Sequence, residues 1–175
     1  MKKIFLFLIG LFTFAQQGKS QPDQTINSSF NFELNNYMGK WYEIARFDHF
    51  FERGLQGVTA TYTLRPDGYV KVLNRGFKDS LNGKYSEAAG KAKIPDPSRP
   101  RNLKVSFFWI FYSPYNILEL DQNYQYALIG SSSSDYLWIL SRTPQMDEKT
   151  YSLLLEKARA RGYDTNQLIK VIQPE

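Results

Sequence analysis

The chain has no cysteine, one histidine and no run of like charge. The first absence excludes disulfides, thiol nucleophiles, thiolate metal sites and a lipid-modified N-terminal cysteine. A lone imidazole without thiols is a poor ligand set, so neither a metal nor another cofactor is expected. The 22 basic and 17 acidic residues are interspersed, and two of the five net positive charges are Lys2 and Lys3. A nucleic-acid partner is therefore not expected. There is no G-x-S-x-G elbow, and the "PDG" and "LNG" turns lead into no helix that could hold a phosphate. No catalytic constellation is visible, so an enzyme is not expected.

A long hydrophobic run is also missing. The apolar stretch from Ile4 to Ala15 is too short to span a bilayer. It follows a lysine pair and precedes the polar "QQGKSQPDQ", which is the pattern of a secretory signal. Thr13 and Ala15 stand three and one residues before the expected cut. The expected organisation is a signal peptide at 1–15, a loose polar segment at 16–29 and one domain at 30–175. Export without a lipidated cysteine implies a periplasmic or secreted protein that is not lipid-anchored.

Strand signals are what the domain has in abundance. "GVTATYTL" sets Val58, Ala60, Tyr62 and Leu64 against Thr59, Thr61 and Thr63, the period-2 pattern of a strand with one apolar face. "WYEIARF", "YVKVLNRGF", "YSEAAGKAKI", "LKVSFFW", "YNILELD", "YQYALIG" and "DYLWILSR" are further strands. Turn chemistry separates them at "RPDG" (65–68), "LNG" (81–83), "PDPSRP" (95–100), 121–123 and "SSSS" (131–134). Eight strands on short turns favour an antiparallel up-and-down meander closed into an all-β barrel. The period then changes. Asp147 is a suitable N-cap, Tyr151, Leu154, Leu155 and Ala158 recur at helical spacing, and Gly162 is a natural stop. One amphipathic helix cannot form a core alone, so it is expected to pack on the outside of the barrel. "QLIKVI" (167–172) reads as a short final strand.

Gly39-Lys40-Trp41, at the start of the first strand, resembles the lipocalin G-x-W signature. "DYLWILSRTP" (135–144) resembles the later motif of that family, with Arg142 at its arginine. "WYEIARFDHFFERGL", "VTATYTL", "LKVSFFWIFY" and the terminal "VIQPE" are similar to the bacterial Blc-like branch and the related apolipoprotein D branch. The resemblance runs from about residue 30 to 174. It implies that Trp41 crosses the closed end of the barrel with Arg142 stacked on it, and that Gly39, Trp41 and Arg142 determine the fold. It also implies a small hydrophobic or amphipathic ligand, a fatty acid or lysophospholipid. Outer-membrane association, a peripheral membrane contact and a homodimer stay open.

The candidate ligand-binding residues follow from an inward register. Small side chains at Ala45, Ala60, Gly90 and Ala92 would leave space, and Phe107, Tyr112 and Trp138 would line it. Trp138 shares the alternation of Arg142. Tyr62, Tyr115 and Asn116 depend on strand phase. Taken alone, aromatic strands fit a filled core better, and the resemblance turns the reading to a cavity. His49 lies among Phe47, Phe50 and Phe51 and reads as a packed rim residue. A haem, pigment or signal binder would have to use it. Glu43 reads as a buried paired carboxylate, though an enzyme on this barrel would use it as an acid. Arg46, Arg53, Arg75 and Arg101 lie near strand ends, where any could meet a ligand head group.

Overall fold

The computed structural model describes residues 31–108 and 110–175. The expected leader and the segment at 16–29 lie outside the described residues. The chain enters through one helical turn, α1 (Leu34–Tyr37), and then winds into a closed barrel. Its strands are β1 (Gly39–Phe47), β2 (Leu55–Leu64), β3 (Val70–Lys78), β4 (Tyr85–Lys93), β5 (Asn102–Phe108), β6 (Phe111–Leu120), β7 (Tyr126–Gly130) and β8 (Leu137–Ser141). Each pairs antiparallel with the next, and β1 closes the ring through β8 on one side and β2 on the other. Closure removes the exposed edges that an open sheet would present. The helix α2 (Glu148–Ala160) follows, with the Asp147 carboxylate accepting from the Thr150 N–H at 2.9 Å. Gly162 takes a φ of +84°, a conformation that stops the helix and suits glycine.

The barrel wall separates two apolar clusters. The inner one holds Trp41, Tyr62, Val70, Val72, Ala92, Leu103, Ile117, Ala127, Ile129 and Leu140. The outer one joins Ile44, Ala45, Phe47, Leu128, Leu137 and Ile139 to Leu154 and Ala158 of α2. The alternating pattern of the strands feeds one cluster, and the helical stripe covers the other.

The end at which β1 begins is sealed. Trp41 is fully buried, and its indole N–H donates to the Tyr37 carbonyl at 2.9 Å. The Arg142 guanidinium lies 3.9 Å from the centre of the Trp41 ring. It donates to the carbonyls of Tyr124, Lys40 and Asn36 at 3.1, 2.9 and 2.8 Å. Gly39 has a φ of +97°, and a Cβ there would stand 3.3 Å from Arg142 Nη1. Sharp entry and close approach together require glycine at this position.

The final strand is shorter than the pattern predicts. A 3₁₀ turn (Thr165–Gln167) leads into β9 (Leu168–Lys170), which pairs with β1 at Ala45, Arg46 and Phe47. Beyond Lys170 the chain wedges into a seam where β1 and β2 part. Both strands shift register there, β1 between Glu43 and Ala45 and β2 between Gln56 and Thr59. The Val171 N–H donates to Ile44 O at 2.9 Å, the Gly57 N–H donates to Ile172 O at 2.7 Å, and the Gln173 amide donates to Glu43 O and to Val58 O, both at 2.8 Å.

Candidate functional site: the barrel interior

Directly paired residues of an antiparallel ladder share a face of the sheet. Trp41 is paired with Ala60, Ala60 with Asn74, and Asn74 with Ala88. All four therefore face inward, yet Ala88 is exposed and Ala60 and Asn74 are only partly buried. Phe107 is also 44 % exposed. Its ring lies over Gly90, where an added Cβ would come within 2.7 Å of it. The lower interior is packed, and the half toward the open end is lined by accessible small and aromatic side chains.

Ala60, Phe107 and Trp138 thus share the interior as the sequence predicts. Three other expected ligand contacts do not. Tyr112 lies on the outer face, with Lys93 Nζ 4.7 Å and Lys91 Nζ 5.8 Å from its ring centre. Asn116 alternates with the inward Tyr115 and Ile117 and so faces outward as well. Ala45 belongs to the outer cluster under α2, because the register shift after Glu43 turns it away from the interior. The same shift turns Arg46 inward, opposite Trp138.

Arg46 is 1 % exposed and organises a buried polar network. Its Nη1 donates to Glu43 Oε1 at 2.7 Å, and its Nη2 donates to Glu52 O at 2.9 Å and Leu55 O at 3.0 Å. Glu52 folds in from the loop at 48–54, and its Oε2 accepts the Trp138 indole N–H at 3.0 Å. The Glu43 carboxyl is pushed up to about 8, by burial first and then by the charge of Glu52, against the opposing pull of Arg46. Burial also raises Glu52, while the bond from Trp138 and the charge of Arg46 hold it back. Nearer the floor, the Tyr115 hydroxyl bonds those of Tyr37 at 2.6 Å and Tyr62 at 2.9 Å. Burial raises all three phenols, so they remain neutral hydrogen-bonding groups.

The remaining candidates have ordinary roles. His49 stacks between Phe51 and Tyr136, with ring centres at 5.3 and 4.4 Å, and burial lowers its pKa. Arg53 pairs with Asp48 and Arg75 with Glu87, all on the exposed surface. Arg101 precedes β5 at the closed end, so it cannot serve the mouth. Among the described residues, no group of three or more histidine, aspartate or glutamate side chains could hold a metal. No helix among them is long and apolar enough to cross a membrane. Glu52 escapes sequence reasoning as an interior group, since a loop carboxylate leaves no periodic signal, and Arg46, readable only as one of four arginines near strand ends, is turned inward by the bulge.

The family of lipocalin-like domains matches residues 32–173. The chain belongs to the lipocalin family. This lipocalin is 45% identical to the outer membrane lipoprotein Blc of Vibrio cholerae, with 99% of each chain covered. It is 44% identical to the Escherichia coli protein of the same name, covering 87% of this chain and 86% of that one. Bovine apolipoprotein D is 35% identical over 79% of this chain and 75% of its own. Among solved structures, insecticyanin from Manduca sexta superimposes with a TM-score of 0.65 at 20% identity, covering 82% of each chain. That likeness supports the barrel fold alone.

Proposed function

We propose that this lipocalin carries or stores a small amphipathic lipid, a fatty acid or lysophospholipid, in the upper half of its barrel and within the bacterial cell envelope. The observation that carries the reading is the accessible inner face at Ala60, Ala88, Gly90 and Phe107 above a sealed floor. Eight-stranded barrels of this kind have room for one small ligand. Burial of an acyl chain against Phe107 and Trp138 would contribute about 0.8 kcal/mol per methylene. The names of the Blc relatives support the envelope, and a lysine pair followed by the apolar run at 4–15 has the pattern of an export signal. No catalytic step is assigned to Glu43 or Glu52, since Arg46 and Trp138 already hold both carboxyls.

Native mass spectrometry of the protein purified from an envelope extract, followed by organic extraction, tests this. A bound single-chain lipid is expected, with affinity for added lipids rising with chain length and then levelling. A protein that carries no lipid, and whose tryptophan fluorescence responds to none of any length, would refute it.

A further inference from the structure

The open end of the barrel carries apolar side chains at two turns where polar ones would be expected. The β5–β6 hairpin reads Phe-Phe-Trp-Ile-Phe at 107–111, and no charged residue stands between Lys104 and Glu119. Phe108, Ile110 and Phe111 are each more than half exposed, and the rings of Phe108 and Phe111 stack at 6.2 Å. In the loop at 48–54, Phe50 is 70 % exposed and meets Phe51 edge-on at 5.4 Å. The order of strands around the ring sets these two loops on opposite sides of the mouth. Exposed apolar groups gathered at one end of a molecule mark a surface that meets a protein or a membrane.

We propose that these two tips rest in a lipid bilayer with the mouth facing it, and that the single-chain lipid passes from the bilayer into the barrel beside Phe107. The inference rests on the carrier reading and names the surface from which the cargo is taken. Tips on opposite sides of an opening are buried together only by a surface that spans the opening, as a bilayer does. Charge points the same way. Around the rim, Arg53, Lys78 and Lys84 are matched by Asp48, Asp79 and Asp135, and Arg53 pairs with Asp48 at 2.9 Å. A rim without net charge has to be held by apolar contact rather than by attraction to an acidic partner. The patch also continues into the interior. Phe108 and Phe111 are on the outside, whereas the ring of Phe107 lies over Gly90 on the inner face. The bulge between Val105 and Phe108 re-aims the hairpin. The described ladder of β4 with β5 ends at Lys91 and Ser106, below the exposed Ala88 and Ala89. The hairpin thus offers an acyl chain an apolar path from its tip into the barrel. A second copy of the chain seated on both tips would stopper the mouth instead.

The test mixes the purified protein with vesicles of phosphatidylcholine, a zwitterionic lipid, and separates bound protein by flotation. The protein should float with the vesicles, and molar salt should not release it, because salt screens charge and not apolar contact. Phe108→Ser, Ile110→Ser and Phe111→Ser together should weaken vesicle binding about a hundredfold, about 2.8 kcal/mol. The same variant should slow the transfer of a fluorescent fatty acid out of vesicles, while laurate added from free solution binds it as it binds the parent. Should the triple variant fail to fold, Ile110→Cys gives this cysteine-free chain a single attachment point for an environment-sensitive dye. Its emission should shift to the blue on vesicles. A dye at Asp67→Cys, in the turn between β2 and β3 at the closed end, should not respond. Flotation only with acidic lipids and release by salt overturns the proposal. So does a triple variant that floats like the parent, a dye at 110 that does not respond, or self-association through the tips by a protein that ignores vesicles. Laurate binding by a protein that ignores vesicles removes the docking and leaves the carrier reading intact. If laurate binds neither parent nor variant, the carrier reading falls and the route for its cargo with it.

Discussion

Glu43 should make the barrel lose stability as pH rises. Its carboxyl moves from 4.5 to about 8 in the folded protein, chiefly through burial. Between those values the native state holds a proton that the unfolded chain releases. The slope of unfolding free energy against pH follows the protons bound in the unfolded state minus those bound in the native state. Here that difference is negative. The contribution is complete below about pH 4.5 and is lost as pH climbs through about 8. At about 1.4 kcal/mol per unit, the shift amounts to roughly 3–5 kcal/mol. Glu52, also raised, acts in the same sense. His49 acts in the opposite one, because its lowered pKa favours folding as pH rises toward 6.5. The cleanest window therefore lies above that value. The surface carboxylates Glu87, Asp96 and Asp147 are lowered, so they titrate below the window and do not confuse it. Urea unfolding followed by circular dichroism across the window should show a falling midpoint in the parent and a much flatter one in Glu43→Gln. A parent that gains stability across it, or a variant with the same slope as the parent, would refute the burial argument.

Trp41→Ala should cost roughly 3–5 kcal/mol. Arg142→Ala should cost less, and a double mutant whose effects simply add would deny the stacking contact. Ala60→Trp should fill the accessible interior and abolish lipid binding while circular dichroism still reports a barrel. Tyr112→Ala, on the outer face, should leave binding unchanged, and a large loss would return that residue to the ligand site. The mature N-terminus, read by intact mass, should fall near Gln16, and a protein that retains Met1 would contradict the signal peptide.

Periodicity made the barrel readable. Threonines opposite apolar residues at 58–64 announce a wall with one wet and one dry face, and the switch to helical spacing after Asp147 announces α2. The interior was less readable, because it depends on phase, and a bulge changes phase without a compositional mark. Ala45 turned outward and Arg46 inward through one register shift after Glu43. Tyr112 and Asn116 face outward because β6 alternates from Tyr115 and Ile117, and no turn chemistry in the sequence fixes the phase at which that strand begins. Glu52 sits in an irregular loop, where no repeat indicates that its carboxyl folds back to Trp138. Trp138 was readable because β8 runs without a shift from it to Ser141, just before Arg142.

The segment that seals the seam has a consequence for how the molecule is made. The Gln173 amide reaches Glu43 across 130 positions of chain and Val58 across 115. Strands β1 and β2 therefore cannot be fully bridged at this seam until the segment at 171–173 is in place. Before that segment docks, the barrel has a slit in which the Glu43 and Val58 carbonyls lack the Gln173 amide. Contacts between parts of the chain so far apart form slowly, so the seam is expected to close after the local hairpins of the wall. A fusion appended after Glu175 would hang two residues from the closing stitch, and its bulk would be felt as delayed maturation.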